Sequence, residues 1–280
     1  MNGVFLLDKP SGITSFGAVN QIKKSLNLNK TGHTGTLDPQ VEGLMLVMVN
    51  KATKCAPFLL EKKKTYESKL TLGIKSDTKD IWGEVLEEKT PKNHTFAKVD
   101  DVLQSFIGES KQIPPLYSAI KVKGKRLYEY AINKQEVEIK ERIINIEEIV
   151  LKDIKDREIS FTVTCSTGTY VRSLCEDIGE RLGELASMSY LKRTKIDNFN
   201  LSEADSLENI CKGLGKLRSI EEVLKDYPRY DVSDSQDVFN GRCLKLTSNK
   251  ESLMIYYQNK IIANYFKGED GLYYCKRGLF

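Results

Sequence analysis

The feature that most restricts the fold of this chain is the irregular order in which two hydrophobic periods occur. Tyr66, Ser68, Leu70 and Leu72 alternate with Glu67, Lys69 and Thr71, and Ile159, Phe161, Val163 and Cys165 alternate within 158–166. A period of two puts one set of side chains on a buried face, as in a half-buried strand. Helical spacing appears elsewhere. Ser15 reads as the N-cap of a helix whose apolar face carries Phe16, Val19, Ile22 and Leu26, and Val99, Val102, Leu103 and Phe106 repeat within 97–107. A further helix is expected over 170–182, after the turn Ser166-Thr167-Gly168. Residues 3–9 and 44–49 read as buried strands, the first stopped by Pro10-Ser11-Gly12. Strands and helices follow no regular βαβ rhythm. That excludes a doubly wound sheet and predicts an α+β fold with a mixed, largely antiparallel central sheet flanked by helices. Past residue 216 the texture changes to a short helix at 220–224 and short strands at 243–246, 253–257, 260–266 and 272–275, with a hairpin turn at Gln258-Asn259. The expected division is a main domain over 1–228 and a small β module over 229–280.

Composition removes several function classes. The longest apolar run is 44–49, far short of the roughly 18 residues that suggest a membrane span. The N-terminus lacks the basic n-region of a secretion signal. The six cysteines are scattered without a CxxC pair, and His33 and His94 are the only histidines. No metal cluster is therefore expected, and the thiols fit a reducing cytoplasm. The 43 Lys and Arg residues exceed the 39 Asp and Glu by only four, so the distribution of charge matters more than its total.

Five segments carry candidate chemistry. In Gly32-His33-Thr34-Gly35-Thr36-Leu37-Asp38-Pro39, continuing to Gly43, the glycines permit close backbone approach. Pro39 stiffens the chain that displays the Asp38 carboxylate, although an Asx turn at Asp38-Pro39 would look the same. Lys9-Pro10-Ser11-Gly12 is a strand–turn–helix junction. Lys62-Lys63-Lys64-Thr65-Tyr66 sets cations beside a ring able to stack on a base, with a solvated lysine run and a core tyrosine as the structural alternative. Residues 111–126 hold Lys111, Lys121, Lys123, Lys125 and Arg126 and no acid. That local surplus exceeds the net charge of the chain and suits a nucleic-acid-gripping loop or a mobile surface loop. In Cys165-Ser166-Thr167-Gly168-Thr169-Tyr170-Val171-Arg172, Arg172 opens a helix, where the macrodipole disfavours a cation. A buried carboxylate or phosphate partner would explain it, and an ordinary surface arginine is the alternative.

Taken together, these segments resemble the TruB-type tRNA pseudouridine synthases. Gly32–Pro39 with Gly43-Leu44, Lys9-Pro10, Lys64-Thr65-Tyr66, Pro114-Pro115-x-Tyr117-Ser118-Ala119, Tyr170-Val171-Arg172 and Leu191-Lys192-Arg193 recur in that family in this order, across residues 3–195. The tail from about residue 230 is similar only loosely to the family's PUA-like RNA-binding module. Val41 stands where the family commonly has alanine. The resemblance implies conversion of uridine to pseudouridine at position 55 of the tRNA T loop, with no cofactor or metal. It implies Asp38 as the essential carboxylate, Tyr66 as the ring stacked on the flipped base, and Arg172 as the partner of Asp38. Tyr170 and Leu191 would line the pocket, and Lys9 and Pro10 would support the catalytic loop. His33 would contact T-loop RNA, and Lys64 and Lys121 would contribute to RNA binding. A mobile gripping insertion is expected over 113–140. A guanidinium beside Asp38 would lower its pKa by about 1–3 units against the upward push of burial. The expected partner is the tRNA T stem-loop alone, with no membrane, no obligatory protein partner, a monomeric state and a cytoplasmic location. Two other readings use the same scaffold: a catalytically idle tRNA-binding or RNA-folding protein, and a guide-RNA-dependent synthase.

Overall fold

The computed structural model describes residues 1–280, and they divide into two compact units: 1–60 with 201–280, and 61–200. This division differs from the expected boundary at 228/229, which falls inside the first unit where its small second sheet begins. No helix is long and apolar enough to cross a membrane.

In the first unit, strand Gly3–Lys9 runs antiparallel to strand Glu42–Val49 over its whole length, from Gly3 opposite Val49 to Lys9 opposite Gly43. Its other side takes Asp205–Ser206 in parallel and Leu217–Arg218 antiparallel, and Thr31–His33 pairs with Glu42–Val49. Both long strands are buried almost throughout, which is why they read as continuous apolar runs rather than as an alternation. Helix Ser15–Ser25 starts one residue earlier than the sequence suggests: Thr14 is the N-cap, its hydroxyl accepting from the Gly17 amide at 2.9 Å. Phe16, expected on its buried face, is 75% exposed; the buried stripe runs through Ser15, Ala18, Val19 and Ile22 instead.

Residues 229–280 form a four-stranded sheet in the order Arg229–Asp231, Ser252–Tyr257, Lys260–Lys267, Tyr273–Gly278. Its core is Val238, Leu253, Ile255, Ala263, Tyr265 and Tyr273. Gln258 and Asn259 both take positive φ (48° and 62°), as a two-residue type I′ hairpin turn requires. The strand expected over 243–246 is reduced to a single bridge between Leu244 and Tyr273.

In the second unit five strands lie in the order Ala186–Ile196, Lys64–Leu72, Glu158–Cys165, Arg142–Lys155, Gly108–Gln112, every pair antiparallel. Helices Phe96–Gln104 and Val171–Leu182 pack against this sheet and against each other. The first turns its buried Val99, Val102 and Leu103 inward, and Arg181 of the second stacks over Phe106 at 3.8 Å. The α+β, largely antiparallel architecture read from the sequence is the one the chain adopts.

Candidate active site

The Asp38 loop spans the gap between His33, opposite Val47, and Gly43, opposite Lys9. Lys9 is fully buried, a costly place for an ammonium unless hydrogen bonds replace its water. Its Nζ donates to the carbonyls of Pro10 (2.8 Å), Ile13 (2.8 Å) and Pro39 (3.3 Å). One side chain thus ties the Pro10–Ile13 turn to the residue following Asp38. The Gly12 amide donates to the same Pro39 carbonyl at 2.9 Å, and Gly12 has φ +84°, a backbone state glycine adopts freely. The Ser15 hydroxyl donates to the Leu37 carbonyl at 2.9 Å and accepts from the Leu37 amide at 2.8 Å. Within the loop, the Val41 amide donates to the Asp38 carbonyl at 3.0 Å, and the Thr34 amide to the Leu46 carbonyl at 3.1 Å. Leu37 and Val41 are buried while Asp38 is half-buried. The carboxylate therefore sits on a backbone fixed on both sides, with part of its surface reachable. Pro10 belongs to this clamp through its carbonyl, and His33 is half-buried at the loop's entry.

In the second unit, antiparallel register sets Tyr66 opposite Arg193 and Ser68 opposite Leu191. Residues directly opposite share a face, so Tyr66 and Leu191 are diagonal neighbours, 9% and 8% exposed. Helix Val171–Leu182 covers that face, its Cys175 sulfur 3.8 Å from the Ser68 hydroxyl. Tyr170 is the N-cap of this helix, and its backbone is clipped by Gln112. The Gln112 side chain accepts from the Tyr170 amide at 2.9 Å and donates to the Tyr170 carbonyl at 3.1 Å.

Arg172 is 5% exposed and held from three directions. Its Nη atoms donate to the carbonyls of Thr78 and Tyr117, each at 2.9 Å, and Nη1 lies 3.6 Å from the buried Asp80 carboxylate. Asp80 in turn accepts from the Thr78 hydroxyl at 2.7 Å and from the Trp82 amide at 3.1 Å. Here is the buried carboxylate that a cation at a helix start calls for, and sequence reasoning did not single it out. The signal available was the run Asp77-Thr78-Lys79-Asp80-Ile81-Trp82-Gly83, in which a turn of Asp, Thr and Gly bonds its own backbone. Gln112 and Ser15 were equally missed as positioning residues.

Lys64 is buried, with Nζ donating to the Thr167 hydroxyl at 3.0 Å. Burial, and then the charge of Arg193, push its pKa down to about 8. Lys121 belongs instead to an exposed hairpin, Lys121–Val122 against Lys125–Arg126, turned at Lys123-Gly124. Lys121, Lys123, Lys125 and Arg126 are all exposed, and helix Leu127–Ile132 follows. The root of this insertion is tied to the start of helix Val171–Leu182 by Arg172 on Tyr117 and by the Ser173 hydroxyl on the Ile113 carbonyl (2.9 Å). The cysteines form no disulfide. Burial lifts the Cys55, Cys165 and Cys175 thiols to about 12, 11 and 12, so none of these three is a thiolate nucleophile.

This architecture is that of a pseudouridine synthase. Over 99% of the chain it superposes on 85% of a chain from the crystal structure of a Cbf5-Nop10-Gar1 complex, with a TM-score of 0.76 and 26% identity. Residues 23–171 match the N-terminal domain of the TruB family pseudouridylate synthases, and residues 172–226 match the tRNA pseudouridylate synthase B C-terminal domain. The tRNA pseudouridine synthase B of Bacillus subtilis (strain 168) is 46% identical over 261 residues, 88% of this chain and 84% of that one. The protein of the same name from Alkaliphilus oremlandii is 41% identical over 267 residues, 95% and 84%. The chain belongs to the TruB family of pseudouridylate synthases.

Proposed function

We propose that this protein converts uridine 55 of the tRNA T loop to pseudouridine, acting on the T stem-loop in the cytoplasm as a single chain without an obligatory protein partner. The observation that carries the reading is the clamp on the Asp38 loop, where Lys9, Gly12 and Ser15 fix the backbone on both sides of a half-buried carboxylate. A binding protein gains nothing from holding one acid so rigidly, whereas catalysis by a positioned group depends on it. Relatives 41–46% identical bear the name tRNA pseudouridine synthase B, which favours tRNA over a guided substrate.

The reaction is redox-neutral and conserves the atoms of the nucleotide apart from one exchanged hydrogen. The N1–C1′ bond breaks, the base turns, C5 bonds to C1′, the C5 proton leaves, and N1 takes up a proton in its place. No co-substrate or electron carrier is required. The target uridine must leave its stack, at a cost of a few kcal/mol. Stacking on Tyr66, at about 1–3 kcal/mol, offsets much of that cost, with Tyr170 and Leu191 as further walls. Asp38 acts as the essential carboxylate, and Arg172 is the site's guanidinium, set in place by Thr78, Tyr117 and Asp80. Lys9 and Pro10 position the loop, His33 contacts RNA, and Lys121 and the rest of the 113–140 insertion grip the phosphate backbone, whereas Lys64, buried and bonded to Thr167, is not placed to reach it. The module over 229–280 adds RNA contacts outside the reacting nucleotide.

The test is an unmodified tRNA transcript incubated with the purified chain alone, with pseudouridine mapped before and after. The parent protein is expected to modify position 55. Asp38→Asn is expected to bind the transcript and leave it unmodified. Equal product from Asp38→Asn would eliminate Asp38 as the catalytic acid. No product from the parent chain, with tight binding, would instead support the idle RNA-binding reading.

A further inference from the structure

The chain has one tryptophan, Trp82, and its ring is 45% exposed beside Ile81, which is 41% exposed. Single exposed apolar side chains are ordinary on protein surfaces. This one differs in how firmly its backbone is held and in what holds it. The Trp82 amide donates to the Asp80 carboxylate at 3.1 Å, the Ile81 amide donates to the Met188 carbonyl at 3.0 Å, and the Asp77 carboxylate accepts from the Glu84 amide at 2.8 Å. Gly83 passes so close beneath the turn that a Cβ there would meet the Thr78 hydroxyl at 2.1 Å and the Asp77 carboxylate at 2.4 Å. The turn is therefore rigid, and the ordering cost of presenting the ring is already met in the free protein.

The same turn touches two parts of the proposed RNA site. Asp80 and the Thr78 carbonyl hold Arg172. The Tyr117 hydroxyl, at the root of the basic insertion, hydrogen-bonds to the Asp77 carboxylate, an anion that raises the tyrosine pKa above its ordinary value. The run 77–84 carries Asp77, Asp80 and Glu84 against one cation, Lys79, which is paired with Glu176. It offers a phosphate no free positive charge, and an uncharged aromatic face is the ligand that suits the indole.

On the pseudouridine synthase reading, we infer that Trp82 is a substrate-contact residue that packs its indole against a nucleobase of the bound tRNA other than the reacting uridine. It contributes affinity through stacking and none through charge. Loss of the ring then weakens binding about five- to a hundredfold, the range for stacking on one base, and leaves the salt dependence unchanged, since that counts phosphates.

Because Trp82 is the only indole, the unaltered protein reports on its own contact. Saturating tRNA transcript is expected to quench and shift the tryptophan emission and to shield the ring from acrylamide. Trp82→Ala is expected to raise the Kd for tRNA about five- to a hundredfold with the same slope of log Kd against log salt, and Trp82→Phe to recover most of the loss. Acrylamide access unchanged at saturating tRNA overturns the inference, as does a Trp82→Ala protein of parental affinity. Either result leaves pseudouridine formation by the parent untouched. Failure of that activity with the ring still shielded would instead refute the enzyme reading.

Discussion

Replacing Lys9 by Met tests whether loop rigidity or the mere presence of Asp38 drives the reaction. Methionine keeps an unbranched side chain of similar length and removes the ammonium. Three main-chain carbonyls lose a hydrogen bond from Lys9: Pro10 and Ile13 at 2.8 Å and Pro39 at 3.3 Å. At about 1 kcal/mol net for each bond, the variant should be about 3 kcal/mol less stable. That is well inside the 5–15 kcal/mol typical of a folded domain, so the chain stays folded, with a lower denaturation midpoint. The kinetic effect should be larger than the structural one. The Pro39 carbonyl loses one of its two donors, Lys9 and the Gly12 amide, and a displacement of about 1 Å at a reacting group costs on the order of a hundredfold in rate. The assay is release of tritium from C5-labelled uridine in a tRNA transcript, which follows the proton lost when C5 joins C1′. The expected outcome is kcat lowered about a hundredfold with KM for tRNA within about threefold of the parent. A variant that loses the stability but turns over at the parental rate would refute the role given to the clamp. A variant of unchanged stability would refute the hydrogen-bond accounting.

Two further outcomes follow from charge. The folded protein holds the Lys64 proton less tightly than the unfolded chain, at a pKa of about 8 against 10.5. The buried ammonium therefore costs stability fully below pH 8, about 3 kcal/mol, and the cost disappears as pH rises toward 10.5. Lys64→Met should abolish this alkaline gain, read from denaturant midpoints at pH 7 and 10, and a gain that persists in the variant would assign it to another group. Neutralising Lys121, Lys123, Lys125 and Arg126 together should flatten the slope of log Kobs against log salt by up to about 3, since each phosphate contact contributes roughly 0.7–0.9. An unchanged slope would remove the insertion from the RNA grip.

The sequence disclosed those strands whose side chains keep one period. Lys64–Leu72 and Glu158–Cys165 pair without a shift along their shared register, so alternation survives and is legible. Arg142–Lys155, the longest strand, left no such trace, because register shifts between Ile146 and Glu148 and between Leu151 and Asp153 break the alternation. Ala186–Ile196 is obscured by the same device, with shifts between Met188 and Tyr190 and between Arg193 and Lys195, and by a fully buried arginine where a core residue would be apolar. The N-cap at Thr14 is hard to read because Ser and Thr stand side by side and either can cap. Tertiary demand decided it: Ser15 is taken by Leu37.

The same logic separates what was legible in the site from what was not. Asp38, Tyr66 and Arg172 announce themselves through unusual neighbours: a glycine-rich loop, a lysine run, a cation at a helix start. Their supports do not, because a residue that works by offering a hydrogen bond to a distant main-chain atom carries no local pattern. Lys9 reaches thirty residues to Pro39, Gln112 fifty-eight to Tyr170, and Arg172 fifty-five to Tyr117. Each of these bonds ends on backbone, so the partner can change its side chain without altering the contact. Rigidity of the Asp38 loop and of the Arg172 guanidinium is accordingly a property of chain path, which a list of side chains cannot encode. It follows that substitutions on the donor side, at Lys9, Ser15, Gln112 or Arg172, should be far more damaging than substitutions at most of the residues they hold.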